Sequence, residues 1–207
     1  MAPGVATAKV RRMKFNMGCG RNKLPGYINV DAAPQAQPDE VWDLEQTPWP
    51  WADDCAEEVR FIHSLEHMGQ DTKVFLAIMT ELYRILRPGG VAVIHVPHPR
   101  HDNFLGDPTH VRPVTSQMLK LFDRELNESW GRDGYANTPL ALYTGVDFYL
   151  EDSRVILDPA VEAEVKAGRL AMADVQAMVR ERYNIASECR FRLVARKGER
   201  PADPPQL

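Results

Sequence analysis

The sequence predicts an α/β domain built on a mostly parallel sheet. Three observations carry this. Short runs of β-branched and aromatic residues recur at 14–17, 27–31, 40–44, 59–64 and 91–97. A single strongly amphipathic stretch, Asp71 to Arg87, stands among them. The run from Val91 to Pro97 is apolar almost throughout, as in a strand covered on both faces. Strands in this order around a helix favour parallel pairing.

Lys14-Phe15-Asn16-Met17 reads as a strand closed by the glycine turn Gly18-Cys19-Gly20. Tyr27-Ile28-Asn29-Val30-Asp31 is a second strand, bounded by Pro25-Gly26 and then by Pro34 and Pro38. Glu40 to Leu44 is a weaker third, followed by the proline-broken loop Gln46 to Trp51. Val59 to Ser64 is a fourth. Over Asp71 to Arg87, Val74, Phe75, Ile78, Leu82, Ile85 and Leu86 share one helical face. Pro88-Gly89-Gly90 is expected to stop that helix, with glycine supplying the left-handed end. Residues 98–115 form a loop rich in His, Asp and Pro, and Gln117 to Leu126 reads as a helix. Phe148-Tyr149-Leu150 and Val155-Ile156-Leu157 suggest strand, and Pro159 to Tyr183 a helix interrupted near Gly168. Glu188 to Lys197 alternates Cys189, Phe191, Leu193 and Ala195 against Arg190, Arg192, Val194 and Arg196, a half-buried strand. The organisation read from this is an arm at 1–12, one domain at 13–197 with a substrate-side loop and insertion at 98–145, and a disordered tail at 198–207.

The 207 residues suffice for one domain, and 44% hydrophobic with 26% charged residues is ordinary globular composition. No stretch approaches the ~20 apolar residues of a membrane span. The N-terminus lacks an apolar h-region, so no secretory signal is expected. Cys19, Cys55 and Cys189 show no CxxC spacing and suit a reducing, cytoplasmic setting. The net charge of −4 argues against a general nucleic-acid binder. Nine acids and no Lys or Arg lie from Asp31 to Glu58, while both ends lean basic.

In parallel sheets ligands sit beyond the carboxyl ends of the strands. Gly18 to Gly20, Asp31, Asp43 and the 64–67 turn all fall at such ends. A glycine turn lets backbone approach a ligand closely, and Asp31 can accept two hydrogen bonds from a ribose. Position 23 is Lys, so the third glycine of the dinucleotide fingerprint is missing. A nucleoside without a pyrophosphate fits better.

Phe15 to Gly20, then Pro25 to Asp31, resemble motif I and the acidic loop of class I S-adenosylmethionine-dependent methyltransferases. The resemblance continues through Asp43-Leu44, Ser64-Leu65-Glu66-His67 and Leu86 to Gly90, and covers about residues 13–97. It is nearest to the small bacterial members of the methyltransferase type 11 kind, with an LEH turn after the fourth strand. It implies a Rossmann-like, doubly wound, seven-stranded sheet with an antiparallel strand near the C-terminus. It also implies S-adenosyl-L-methionine as cofactor, held by Asn16, Gly18, Cys19, Gly20, Asp31, Asp43, Leu44 and Ser64. Asp31 would take the ribose and Asp43 the adenine amino group. Asp43 also reads as a loop-capping carboxylate, and Glu66 and His67 as a helix cap.

The turn after strand four lacks the Asn/Asp-Pro-Pro-aromatic pattern of enzymes that methylate base or glutamine nitrogens. All six histidines lie between residues 63 and 110. His98, His101 and His110 are candidates for a base that removes the proton of an acceptor hydroxyl. His67 and Arg112 are candidates for substrate binding. The same loop also reads as purely structural, or as a metal set drawn from His98, His101, Asp102, Asp107 and His110. Its spacing matches no standard site, so no metal is assigned. Trp49, Trp51 and Trp130 read as hydrophobic cover or as a stacking surface for substrate. The expected function is methyl transfer to oxygen on a small acceptor such as a sugar, glycan precursor or metabolite. The alternatives are a protein or nucleic-acid methyltransferase and a non-catalytic cofactor-binding scaffold.

Overall fold

A computed structural model describes residues 12–198. All but the first residue of the predicted tail and all but the last residue of the predicted arm lie outside that range. Seven strands form one sheet in the order β3-β2-β1-β4-β5-β7-β6. They are β1 (Met13–Met17), β2 (Ile28–Asp31), β3 (Glu40–Val41), β4 (Ala56–Ile62), β5 (Leu86–Pro97), β6 (Phe148–Leu157) and β7 (Ala186–Ala195). The first five pair in parallel, and β7 inserts antiparallel between β5 and β6. The fold class expected from the sequence is the one observed.

The register sorts the side chains by face. Phe15, Met17, Val59, Phe61, Ala92, Ile94, Val96, Phe191 and Leu193 point to one side and are buried. Helix α1 (Thr72–Ile85) lays Phe75, Ile78, Met79, Leu82 and Ile85 into this core, and Asp71 caps it by accepting from the Lys73 amide at 2.8 Å. On the other face Lys14, Glu58, Arg60, Val93, His95, Arg192 and Arg190 stand side by side, none of them fully buried. The continuous apolar run of β5 therefore does not mean full cover on both sides, as the sequence suggests. Its partners on that face, Arg192 and Arg190, keep Val93 and His95 only half-buried.

Other boundaries move for local reasons. Helix α1 ends at Ile85, and Leu86 is already extended. Pro88-Gly89-Gly90 is a bulge inside β5, where the register with β4 jumps from Ala56↔Leu86 to Glu58↔Val91. The left-handed Gly89 serves that bulge, not a helix end. The helix expected over 117–126 is split into α3 (Ser116–Lys120) and α4 (Arg124–Arg132), after the short helix α2 (Asp102–Leu105). Asp123 breaks it by capping α4, accepting from the Leu126 amide at 3.1 Å. Beyond α5 (Leu140–Thr144), β6 is one continuous strand, because Asp152 and Arg154 lie on the polar face beside Arg192 and Arg190. Two helices, α6 (Pro159–Lys166) and α7 (Met172–Glu181), flank the predicted break at Gly168.

The Trp-rich loop after β3 is pinned to α1. Glu81 accepts from the Trp49 amide at 2.6 Å and from Arg84 Nη2 at 2.7 Å. Arg84 in turn donates to the carbonyls of Trp49 and Trp51 and to Asp53. Trp49 and Trp51 are buried against the sheet and act as cover. Burial pushes the Glu81 carboxyl up, but Arg84 and the Trp49 amide outweigh it and hold the group below its ordinary range. A carboxylate depressed in the folded state stabilises above its unfolded value, about 4.3, and loses that contribution as pH falls through the folded one. Glu81→Gln should therefore cost about 1–3 kcal/mol at pH 7 and flatten the acid limb of a stability-against-pH curve measured by denaturant unfolding. An unchanged acid limb would remove Glu81 from this role.

Candidate active site

The carboxyl ends of β1, β2, β3 and β4 open into a cleft of about 230 Å³. Its walls include Gly18, Gly20, Asp31, Leu44, Ser64 and His67. Backbone geometry builds it. Gly18 has φ +65°, and a Cβ there would stand 2.5 Å from Ser64 Cβ. Ser64 is itself buried and donates to the Met17 carbonyl at 2.8 Å, so the ends of β1 and β4 are clamped together. Only glycine allows that approach and that φ at once.

Asp31 closes the glycine turn onto β2. One carboxylate oxygen accepts from the Gly20 amide at 2.7 Å and the other from the Ala33 amide at 2.8 Å. A carboxylate offers about four acceptor positions, so each oxygen keeps one for a ligand hydroxyl. Asp43 is exposed, accepts from the Glu45 amide at 3.0 Å, and lines the same cleft beside buried Leu44. It caps its loop and faces the cleft at once.

Asn16 and Cys19 do not line the cleft. Asn16 is buried and donates to Asn29 Oδ1 at 2.9 Å and to the Asn22 carbonyl at 3.0 Å. It holds the turn in shape. Cys19 is buried, and burial, with Asp31 adding, raises its thiol. Trp42, Glu45, His63 and Met68 line the cleft without having been singled out in the sequence. His63 sits in left-handed backbone at φ 53° directly after β4, which turns its ring toward the opening.

The histidine loop differs from expectation. His101 is buried at the start of α2, where its Nδ1 accepts from the Asn103 amide at 3.0 Å. Its Nε2 therefore carries the proton and donates to Asp158 Oδ2 at 3.2 Å. Both nitrogens are spent, so His101 is a structural cap and not a base. His98 also misses the cleft; its Nδ1 accepts from the Arg100 amide at 3.2 Å, and burial lowers its pKa, with Arg100 and His101 adding. Arg112 is not at the cleft either. It donates to the Gly69 carbonyl and covers the Phe75 ring at 4.4 Å, which occupies its guanidinium.

His110 comes close through another route. Its ring packs edge-on to His67 at 4.5 Å between centroids and stacks on Phe104. His67 belongs to the 3-10 turn Leu65–His67. Beneath it, Glu66 is fully buried, and neither carboxylate oxygen has a hydrogen-bond partner. His63 Nδ1 stands 3.7 Å from Oε1, too long for a good hydrogen bond but at ion-pair distance, and Glu66 is the main cause that raises the His63 pKa against the effect of burial.

Comparison with solved structures places the fold. A SAM-dependent methyltransferase from Archaeoglobus fulgidus superposes with a TM-score of 0.58 at 16% identity, over 89% of this chain and 86% of that one. A variant 16S rRNA adenine N1-methyltransferase from Catenulisporales acidiphilia, solved with cosubstrate SAM, gives 0.50 at 16%, over 93% and 89%. The cyclase SpnF gives 0.50 at 14%, over 91% and 78%. No family model and no curated protein matches the sequence. The chain therefore has the fold of class I S-adenosylmethionine-dependent methyltransferases, a fold that also hosts a cyclase. Among the described residues no helix is long and apolar enough to cross a membrane.

Proposed function

We propose that the protein is an S-adenosylmethionine-dependent methyltransferase acting on an oxygen of a small acceptor. The observation that carries the cofactor reading is the Asp31 carboxylate, held by the Gly20 and Ala33 amides with acceptor positions to spare, in the same cleft as Gly18. The chain fits a nucleoside ligand. Asp31 would hold the ribose, the Gly18–Gly20 backbone the methionine end, and Leu44 with Asp43 the adenine. When bound, S-adenosylmethionine supplies an electrophilic methyl group on its sulfonium. The protein contributes alignment of the two reactants, the largest part of such a transfer. Asp31, Asp43 and Glu45 give the cleft an acidic rim, which disfavours a phosphate backbone and supports a small acceptor over a nucleic acid. His63 and His67 are the two exposed histidines on the wall, and His67, in the turn after β4, is the one we place against the acceptor.

Titration calorimetry tests the cofactor assignment. Wild-type protein should bind S-adenosylmethionine or its demethylated product at the cleft. Asp31→Ala should weaken that binding by about 1.5–3 kcal/mol, the scale of hydrogen bonds to a charged group. Unaltered affinity in a folded variant removes Asp31 from the ribose role.

A further inference from the structure

We infer that Glu66, His67 and His110 form a binding site for a divalent transition-metal ion in the wall of the cleft. Each of the three offers a ligand atom within 4.8 Å of the other two. Three ligands holding one ion at about 2.1 Å in tetrahedral geometry stand about 3.4 Å apart, so closing the site needs the side chains to draw together by up to about 1.4 Å.

Four further features of the molecule prepare it for an ion. First, the Glu66 carboxylate is wholly buried and neither oxygen has a hydrogen-bond partner; its one ion-pair neighbour among the described residues is the half-exposed His63 ring, 3.7 Å away. A buried carboxylate with no hydrogen bond and only one long ion pair is poorly compensated, and buried charges are paired or coordinate metals. Second, the His110 ring donates Nδ1–H to the Phe104 carbonyl at 2.9 Å, which leaves Nε2 as its free donor atom. Third, His67 Nδ1 lies 2.9 Å from Thr109 Oγ1, whose own proton goes to Asp107 Oδ1 at 2.6 Å. The hydroxyl must then accept from His67 Nδ1–H, and Nε2 of His67 is free as well. Metal-binding histidines are oriented in this way, with the second nitrogen donating to a carbonyl or a carboxylate-backed group. Fourth, Asp107 Oδ2 stands 3.8 Å from His110 Nε2, so a second carboxylate balances the charge of a divalent ion.

Two imidazoles and one carboxylate form a mixed nitrogen–oxygen set that suits zinc and its first-row neighbours over calcium or magnesium. Three protein ligands leave at least one coordination position open. His67 lines the cleft, so that position is offered to a ligand there. Resting on the methyltransferase reading, its occupant is an oxygen of the acceptor, such as a hydroxyl or a hydroxy acid, whose proton the ion makes easier to lose to solvent. The binding site itself does not depend on that reading.

The test uses the full chain, stripped with chelator and dialysed against zinc, cobalt(II) or manganese(II). One equivalent should be retained at micromolar ion, and cobalt should give a visible absorption of a nitrogen–oxygen site. Glu66→Gln, His67→Asn and His110→Asn should each abolish retention. Thr109→Val, which removes the hydroxyl that supports His67 and its bond to Asp107 but no ligand atom, should cost about 10- to 100-fold in affinity. His98→Asn should retain the ion as wild type does. His67 is exposed, so its variant has no reason to misfold even if Glu66→Gln does. Absence of stoichiometric binding in the wild type, or retention by His67→Asn equal to wild type, overturns the proposal. Calorimetry of S-adenosylmethionine on the stripped protein reads the methyltransferase assignment separately.

Discussion

Gly18→Val is expected to abolish S-adenosylmethionine binding and to cost about 2–5 kcal/mol of stability. Two penalties add. A non-glycine residue in left-handed backbone costs about 1–2 kcal/mol, and Gly18 has φ +65°. Forcing carbon into filled space costs about 1–3 kcal/mol, and here the new Cβ would stand 2.5 Å from Ser64 Cβ. Relief requires β1 and β4 to separate at the point where the cleft is built. Gly20→Ala is the comparison: its φ is +49°, but nothing lies within 4 Å of an added Cβ, so only the backbone penalty applies. Calorimetry and denaturant unfolding of both variants check this. Equal losses at the two positions would mean that the contact with Ser64 does not shape the site.

His67→Ala is expected to lower methyl transfer by about 100- to 10,000-fold while leaving cofactor affinity near that of wild type. The ring is exposed on the cleft wall, and its orientation is fixed by Thr109 and Asp107. Removing it takes away the histidine of the His67–His110 pair that lines the cleft and leaves His63 as the remaining histidine on the wall. His101→Asn gives the contrast. That ring caps α2 and reaches Asp158, so its loss should cost about 0.5–2 kcal/mol of stability and leave turnover intact. Single-turnover rates with the methyl-accepting fraction, set beside unfolding midpoints, separate the two. A His67→Ala protein of full activity would return the acceptor chemistry to proximity alone, on an already ionised oxygen or a nucleophilic nitrogen.

The cleft-lining cofactor residues were legible because each ends a strand. Gly18 follows Met17, Asp31 closes β2, Leu44 follows the third strand and Ser64 follows the fourth, so local pattern brought them together. Asn16 and Cys19 share the motif but turn inward, and the sequence carries no sign of which residues of a glycine turn face the ligand. The histidines were legible as a group and not as individuals. His101 is settled by Asp158, 57 positions away, and His67 meets Thr109 across 42 positions. Residue types in a loop do not encode such long-range partners. Pro88-Gly89-Gly90 carries the same letters whether it ends a helix or bulges a strand, and the pairing with β4 decides. The polar stretch Glu151 to Arg154 joins the two expected strand segments because it pairs along the charged outer face of the sheet, which local residue types do not encode.

The most direct measurement follows label from methyl-labelled S-adenosylmethionine into cell extract separated by molecular size, with the full-length protein as catalyst. Label is expected in the small-molecule fraction, lost with Gly18→Val and strongly reduced with His67→Ala. Label confined to protein or nucleic acid, or no transfer by a protein that binds the cofactor, would contradict methyl transfer to a small acceptor.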